Sequence, residues 1–170
     1  MLSDVALDVH AGECVVLSGP SGAGKSTLVG HLMQSIDTVR MKAATIVTSQ
    51  LDGTDLVNMA AESFGIDTRG MDKAAALSAI QNFLHAEARA GRRCLLIVDE
   101  AQNLSIEALE ELRMLSNFQL GSTALLQIFL LGQPEFRHLV NNAPELEQLR
   151  QRIIATHHLE PMDADEIQPY

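Results

Sequence analysis

An α/β three-layer sandwich built on a mainly parallel sheet is the fold class this sequence predicts, and three observations predict it. Short, nearly continuous apolar runs recur along the chain, as strands buried on both faces of a sheet require. Between them the apolar period changes to that of an amphipathic helix. A glycine-rich segment, Gly19-Pro-Ser-Gly-Ala-Gly-Lys-Ser-Thr27, joins the first run to the first helical pattern. Alternation of this kind gives parallel strands joined by crossover helices.

Each element has its own justification. Cys14-Val-Val-Leu-Ser18 is the first strand, and after the glycine-rich turn Leu28, Leu32 and Ile36 share a helical face. Ala44-Thr-Ile-Val-Thr-Ser49 is the second strand. Over 72–90, Leu77, Ile80, Leu84 and Ala88 line the face of a longer helix, which leads into a third strand, Cys94-Leu-Leu-Ile-Val98. Ser105 is an N-cap for a helix whose Leu109, Leu112 and Leu115 turn inward. Leu125–Leu131 is the fourth strand and Ile153–Leu159 a weaker fifth. In such folds ligands bind beyond the carboxyl ends of the strands.

Composition narrows the function classes. A chain of 170 residues suits one domain, and a compact domain of that size buries roughly 70% of its unfolded surface. The formal net charge is −10, with ten acidic and eight basic residues in 1–98 but twelve and four in 99–170. Direct nucleic-acid binding through phosphate contacts is not expected of such a chain. An anion site should lie in the first part or be built from backbone groups. Cys14 and Cys94 sit in apolar runs and read as core thiols in a reducing compartment. No signal peptide opens the chain, and no apolar run approaches the roughly 20 residues that span a bilayer, so a cytoplasmic protein is expected.

The glycine-rich segment fits G-x-x-x-x-G-K-[ST] at every position and in the strand–loop–helix context that the motif needs. Gly19, Gly22 and Gly24 free the backbone to curl around a ligand, with Pro20, Ser21 and Ala23 between them. Successive N–H groups then form an anion nest at the positive end of the next helix. Lys25 is placed to reach the β- and γ-phosphates of ATP, Ser26 to ligate Mg²⁺ and Thr27 to support the α-phosphate. Asp99 and Glu100 close the third strand. A carboxylate at a buried strand end needs a partner, and a Mg²⁺ shared with Ser26 makes Asp99 the Walker B metal ligand. Glu100 is placed to orient and polarise an attacking water.

The P-loop alone leaves several classes open. Leu17–Leu28 is similar to nucleotide monophosphate kinases of the guanylate kinase type, and Leu2–Glu13 to the start of an ABC transporter ATPase. The stretch before the third strand, His85-Ala-Glu-Ala-Arg-Ala-Gly-Arg-Arg93, lacks the ABC L-S-G-G-Q signature, and no GMP site is evident. In contrast, Leu96-Ile-Val-Asp-Glu-Ala-Gln-Asn-Leu-Ser105, Leu109–Phe118, Leu126-Gln-Ile-Phe-Leu-Leu-Gly-Gln-Pro-Glu-Phe136 and Gln148–Thr156 resemble AAA+ ATPases of the ExeA-type secretion pathway. Thr48–Asp52 and His158–Ala164 most resemble the members associated with exosortase (PEP-CTERM) and exopolysaccharide systems.

That resemblance carries its own expectations. It implies a P-loop NTPase sandwich with a five-stranded sheet in the order 5-1-4-3-2. The fourth strand then lies between those holding Cys14 and Cys94, which keeps the thiols too far apart for a disulfide. It places Gln133 at the sensor 1 position, facing the γ-phosphate or the attacking water. It makes Arg152, with Arg150 as the alternative, an arginine finger acting on the ATP of a neighbour in a homo-oligomer. It suggests a secretion or polysaccharide-export partner at the inner membrane. Residues 1–170 then form one ATPase core, without the usual N-terminal Pro-Phe element and ending where a helical lid would begin. The functional expectation is Mg²⁺-dependent ATP hydrolysis. The alternatives are an ATP-dependent assembly switch with little turnover and a nucleotide monophosphate kinase. His157 and His158 point to opposite sides of a strand and do not suggest a shared metal.

Overall fold

The computed structural model describes residues 14–49 and 52–159. The ABC-like opening, the Pro-Phe question and the lid question fall outside those residues.

In chain order the elements are β1 (Cys14–Ser18), α1 (Lys25–Ser35), β2 (Met41–Val47), α2 (Gly53–Ser63), α3 (Lys73–Arg89), β3 (Arg93–Asp99), α4 (Ile106–Ser116), β4 (Gln119–Leu120), β5 (Thr123–Ala124), β6 (Leu126–Gly132), α5 (Pro134–Asn142), α6 (Glu147–Arg152) and β7 (Ile153–His158). Short 3₁₀ turns occupy Ala101–Asn103 and Pro144–Leu146. The main sheet runs β2-β3-β6-β1-β7 with every pairing parallel. Counted along the chain and read from the β7 edge, that is 5-1-4-3-2, the expected order. β4 and β5 form a separate antiparallel hairpin across Gly121.

The period-two alternation of strands sorts the core into two layers. Cys14, Val16, Leu96, Val98, Ile128 and Leu130 face one side, where α2, α3, α4 and α5 bring Leu56, Ile80, Leu112 and Phe136. Val15, Leu17, Leu95, Ile97, Phe129 and Leu131 face the other, against Leu28 and Leu32 of α1 and Ile36 just after it. Both faces are covered, so β1 and β6 are buried along their whole length. Leu77 and Ala88 of α3 pack at the edge of the larger layer, and Leu109, Leu112 and Leu115 of α4 are fully buried in it.

Caps set the helix starts. The Asp72 side chain accepts from Ala75 N–H at 2.7 Å and opens α3, and Ser105 Oγ accepts from Ala108 N–H at 3.1 Å and opens α4. β2 starts three residues before the apolar run, because Met41 already pairs with Arg93. It stops before Thr48, whose N–H turns to the Asp99 carbonyl. Cys14 and Cys94 are both free and buried, with β6 between their strands. No helix among the described residues is long and apolar enough to cross a membrane.

Candidate functional site

The sheet brings its carboxyl edge together at three adjacent strands, β3, β6 and β1, and the site is built there. β1 ends at Ser18 and the chain turns at once. Gly19 donates its N–H to the Gly132 carbonyl at 3.1 Å, and a Cβ at Gly19 would lie 2.9 Å from the Leu159 carbonyl oxygen. Only glycine fits that approach. Gly22 (φ 85°) and Gly24 (φ 79°) take the left-handed backbone that curls the loop. Ala23 N–H donates back to Pro20 at 3.2 Å and closes the turn.

Gly24 is the N-cap of α1. No side chain caps this end and no acidic residue lies in the first turn. The first N–H groups of α1 are therefore left for a ligand. Lys25 is 7% exposed, and its ammonium donates to the carbonyls of Gly19 and, at 2.8 Å, of Pro20. These carbonyls hold the charge at the loop while the side chains of Ser26 and Thr27 stay exposed.

Ser21, Gly22, Gly24, Lys25, Ser26 and Thr27 line a cleft of about 250 Å³, and Glu100 from the end of β3 completes it. Hollows of about 630 Å³ beside Asp52, Lys73 and Ser105, and about 580 Å³ beside Ile36, Leu95 and Phe129, are larger. Neither unites loop amides with an acidic strand end. The small cleft does, which makes it the candidate site.

At the Walker B end, Asp99 closes β3 and its Oδ1 accepts from the Glu100 N–H at 2.8 Å. Glu100 has φ 56° and ψ 39°, and among the described residues it alone takes positive φ without being glycine. That conformation costs roughly 1–2 kcal/mol and needs support. Buried Thr48 supplies it. Its Oγ1 lies 2.9 Å from the Asp99 carbonyl and 2.6 Å from the Glu100 carbonyl and shares its proton between them. Asn103 Nδ2 in turn donates to the Thr48 carbonyl at 3.1 Å.

Gln133 follows β6 directly and is the N-cap position of α5, with Pro134 next. Its N–H donates to Gln102 Oε1 at 3.1 Å, and Gln102 Nε2 donates to Glu100 Oε2. Gln102 thus bridges two expected site residues. Neither it nor Thr48 is singled out by the sequence pattern. The available signal for Gln102 is its position two residues beyond Glu100.

Arg152 lies elsewhere. Ile153, next to it, pairs with Cys14, whereas Ser18 at the loop end of β1 pairs with His158. Arg152 therefore sits at the opposite edge of the sheet from its own P-loop, where its Nη2 donates to Asn117 Oδ1. Arg150 donates to the Asn141 carbonyl. His158 Nδ1 lies 3.1 Å from Ser18 Oγ, and the His157 carbonyl accepts from that hydroxyl, so the two histidines do not meet at a metal.

The donor set suits Mg²⁺. Ser26 lines the cleft and Asp99 stands beside it, next to Glu100, so one hydroxyl and one carboxylate would be hard oxygen ligands of the kind Mg²⁺ takes from protein. No group of three or more His, Cys, Asp or Glu that could hold a metal by itself occurs among the described residues.

Comparison with known proteins bears on the family and the fold. A family model described as AAA domain matches residues 9–140. General secretion pathway protein A of Aeromonas hydrophila is 36% identical over 163 residues, which is 94% of this chain but 29% of that protein. The phosphonates import ATP-binding protein PhnC of Shigella sonnei is 64% identical over only 31 residues, 18% of this chain and 12% of its own length. Among solved structures, the ORC2 protein of Aeropyrum pernix superposes with a TM-score of 0.64 at 17% identity, covering 88% of this chain and 42% of that one. Cdc6p of Pyrobaculum aerophilum gives 0.64 at 16%, covering 86% and 38%. The chain thus spans less than a third of its secretion relative and about two fifths of these structures. With a family match over most of its length and a relative similar nearly end to end, the chain belongs to the AAA+ family of P-loop ATPases.

Proposed function

We propose that this chain is the ATP-binding, Mg²⁺-dependent ATP-hydrolysing core of a machine serving a bacterial secretion, exosortase or exopolysaccharide-export system. The observation that carries the reading is the one cleft shared by the uncapped start of α1, Lys25, Ser26 and Glu100. The loop amides and Lys25 take up phosphate charge despite the net charge of −10, because helix-end dipoles and one ammonium act locally. Ser26 and Asp99 would hold Mg²⁺, which when bound neutralises charge on the β- and γ-phosphates.

Glu100 orients a water in line with the γ-phosphate. The water oxygen bonds to the γ-phosphorus as the bond from that phosphorus to the β,γ-bridging oxygen breaks. ADP leaves with that electron pair, and the water proton passes by way of Glu100 to solvent. Gln133, beside this site, contacts the γ-phosphate or the water. Arg152 is too far round the sheet to serve its own cleft, so it acts on the ATP of a neighbour in a homo-oligomer. Such fingers are worth about 10³–10⁵ in rate. The name of the Aeromonas hydrophila relative supports the secretion setting, and the ADPNP and ADP complexes of the ORC2 structure support the nucleotide. In that setting the protein would work in the cytoplasm, peripheral to the inner membrane.

Binding of a fluorescent ATP analogue and release of phosphate test this reading together. Lys25→Ala should lose tight binding. Glu100→Gln should bind normally and lose about 10²–10⁴ in turnover. A mixture of Lys25→Ala and Arg152→Ala chains should regain activity that neither has alone. Undiminished hydrolysis in Glu100→Gln overturns the assignment of the base, and a silent mixture overturns action in trans.

A further inference from the structure

We infer that Gln102 is a positioning residue for hydrolysis: its side-chain amide holds the Glu100 carboxylate at the cleft and ties it to the backbone at Gln133. The inference rests on the reading of Glu100 as the group that orients water.

Three observations carry it. First, the two ends of one amide are both used. Nε2 donates to Glu100 Oε2, and Oε1 accepts the Gln133 N–H at 3.1 Å. A primary amide offers a donor and an acceptor on separate atoms without charge, which is what joining a carboxylate oxygen to a backbone N–H requires. Second, the two groups it joins come from different strand ends. Glu100 follows β3 and Gln133 follows β6, which are neighbours in the sheet. Third, Glu100 has little else to fix its side chain. Its backbone is held in the left-handed region by Thr48 and by the Asp99 carboxylate, but those contacts reach only its carbonyl and N–H. Glu100 itself is half-buried and lines the cleft. The donor from Gln102 occupies Oε2 and leaves Oε1 to face a water.

The consequence is mechanical. The β6 end is also where Gly132 accepts from Gly19, so the P-loop, the residue after β6 and the carboxylate are linked in one chain of hydrogen bonds. A shift of the loop on loading nucleotide is passed to the carboxylate through Gln102. Misplacing a catalytic group by about 1 Å costs on the order of 10²-fold in rate. Loss of the amide should therefore appear in kcat and not in nucleotide affinity.

The test uses two substitutions of near-equal length in the full chain. Gln102→Met keeps the bulk and removes both hydrogen bonds. Gln102→Glu keeps the acceptor for Gln133 and replaces the donor with a charge that repels Glu100. The expected result is a fall in kcat of roughly 10–100-fold for Met and a larger fall for Glu. KM and the affinity for a fluorescent ATP analogue with Mg²⁺ should stay within about twofold, and the thermal midpoint should be close to wild type. Unchanged kcat in both variants, while Glu100→Gln is inactive, overturns the role of Gln102 and leaves Glu100 standing. Higher turnover in Gln102→Met also overturns it, since the amide would then be restraining Glu100. Full turnover in Glu100→Gln instead removes the reading on which the inference rests.

Discussion

The N–H of Gly19 donates to the carbonyl of Gly132 at 3.1 Å, so the first residue of the phosphate loop hangs from the last residue of β6. Gly132 is itself pressed against α5. A Cβ there would lie 2.9 Å from both Cβ and Cδ1 of Phe136, a side chain with no exposed surface. Phe136 Cβ is close to the helix backbone and cannot swing away as a side-chain tip would. Gly132→Ala must therefore move α5 or the strand end. Overpacking of this kind costs about 1–3 kcal/mol. The urea midpoint should fall accordingly, and ATP affinity should weaken because the anchor of Gly19 moves. A variant as stable as wild type would show that α5 floats freely over β6.

How far the sequence foretells this arrangement depends on whether the signal is local. The P-loop is contiguous and each residue has its own chemical reason, so loop, strand and helix all emerge where expected. Asp99 and Glu100 are equally plain, as acids ending an apolar strand. The helix α2 leaves a fainter trace. Its buried face is Leu56, Val57, Ala60 and Ala61, two of them alanines. It also opens on Gly53, a poor helix former, where a Cβ would press on Glu111 Cγ at 3.1 Å. In α5 the buried face is only Phe136 and Val140, too short a pattern to register, although Pro134 at its first turn marks the start. Thr48 and Gln102 stand inside stretches that carry the family resemblance, but their contacts are not legible there, for another reason. Thr48 acts through contacts with residues 51 and 52 positions away, and the contact of Gln102 with Gln133 spans 31. Polar contacts between strand ends are made by the topology and have no period to read.

The two cysteines should be chemically silent in the native protein. Burial pushes the Cys14 thiol up from its ordinary value of 9.0 to about 12 and is the main cause of the same rise at Cys94, where Glu87 adds to it. The thiolate is the reactive form, so a thiol reagent at pH 8 should label neither group until urea is added, and both afterwards. The sign of the linkage follows. Both values are raised in the folded state, so the stabilisation is complete below about pH 9 and is lost as the pH climbs towards about 12. Cys14→Ala should flatten that alkaline decline. Rapid labelling without denaturant would contradict the closed packing of β1 and β3.

Thr48 offers the sharpest test of the support beneath Glu100. Its hydroxyl reaches the carbonyls of Asp99 and Glu100, and the side chain is 4% exposed. Thr48→Val keeps the shape and deletes the hydroxyl. The Glu100 carbonyl then loses its donor in a half-buried setting, which costs about 1 kcal/mol. The left-handed backbone at Glu100 loses the contact that offsets its strain, so the carboxylate drifts from the cleft. Turnover should drop about tenfold, equivalent to ~1.4 kcal/mol of barrier. Nucleotide affinity should hold, because Glu100 is the one lining residue of the cleft that the Thr48 hydroxyl reaches, and it does so at the backbone carbonyl. Thr48→Ser, which restores the hydroxyl with a smaller side chain, should recover most of the turnover but little of any loss due to packing. The paired kinetics and denaturation curves separate the two effects. If Val and Ser variants turn over ATP equally, the hydroxyl does not hold Glu100 in place.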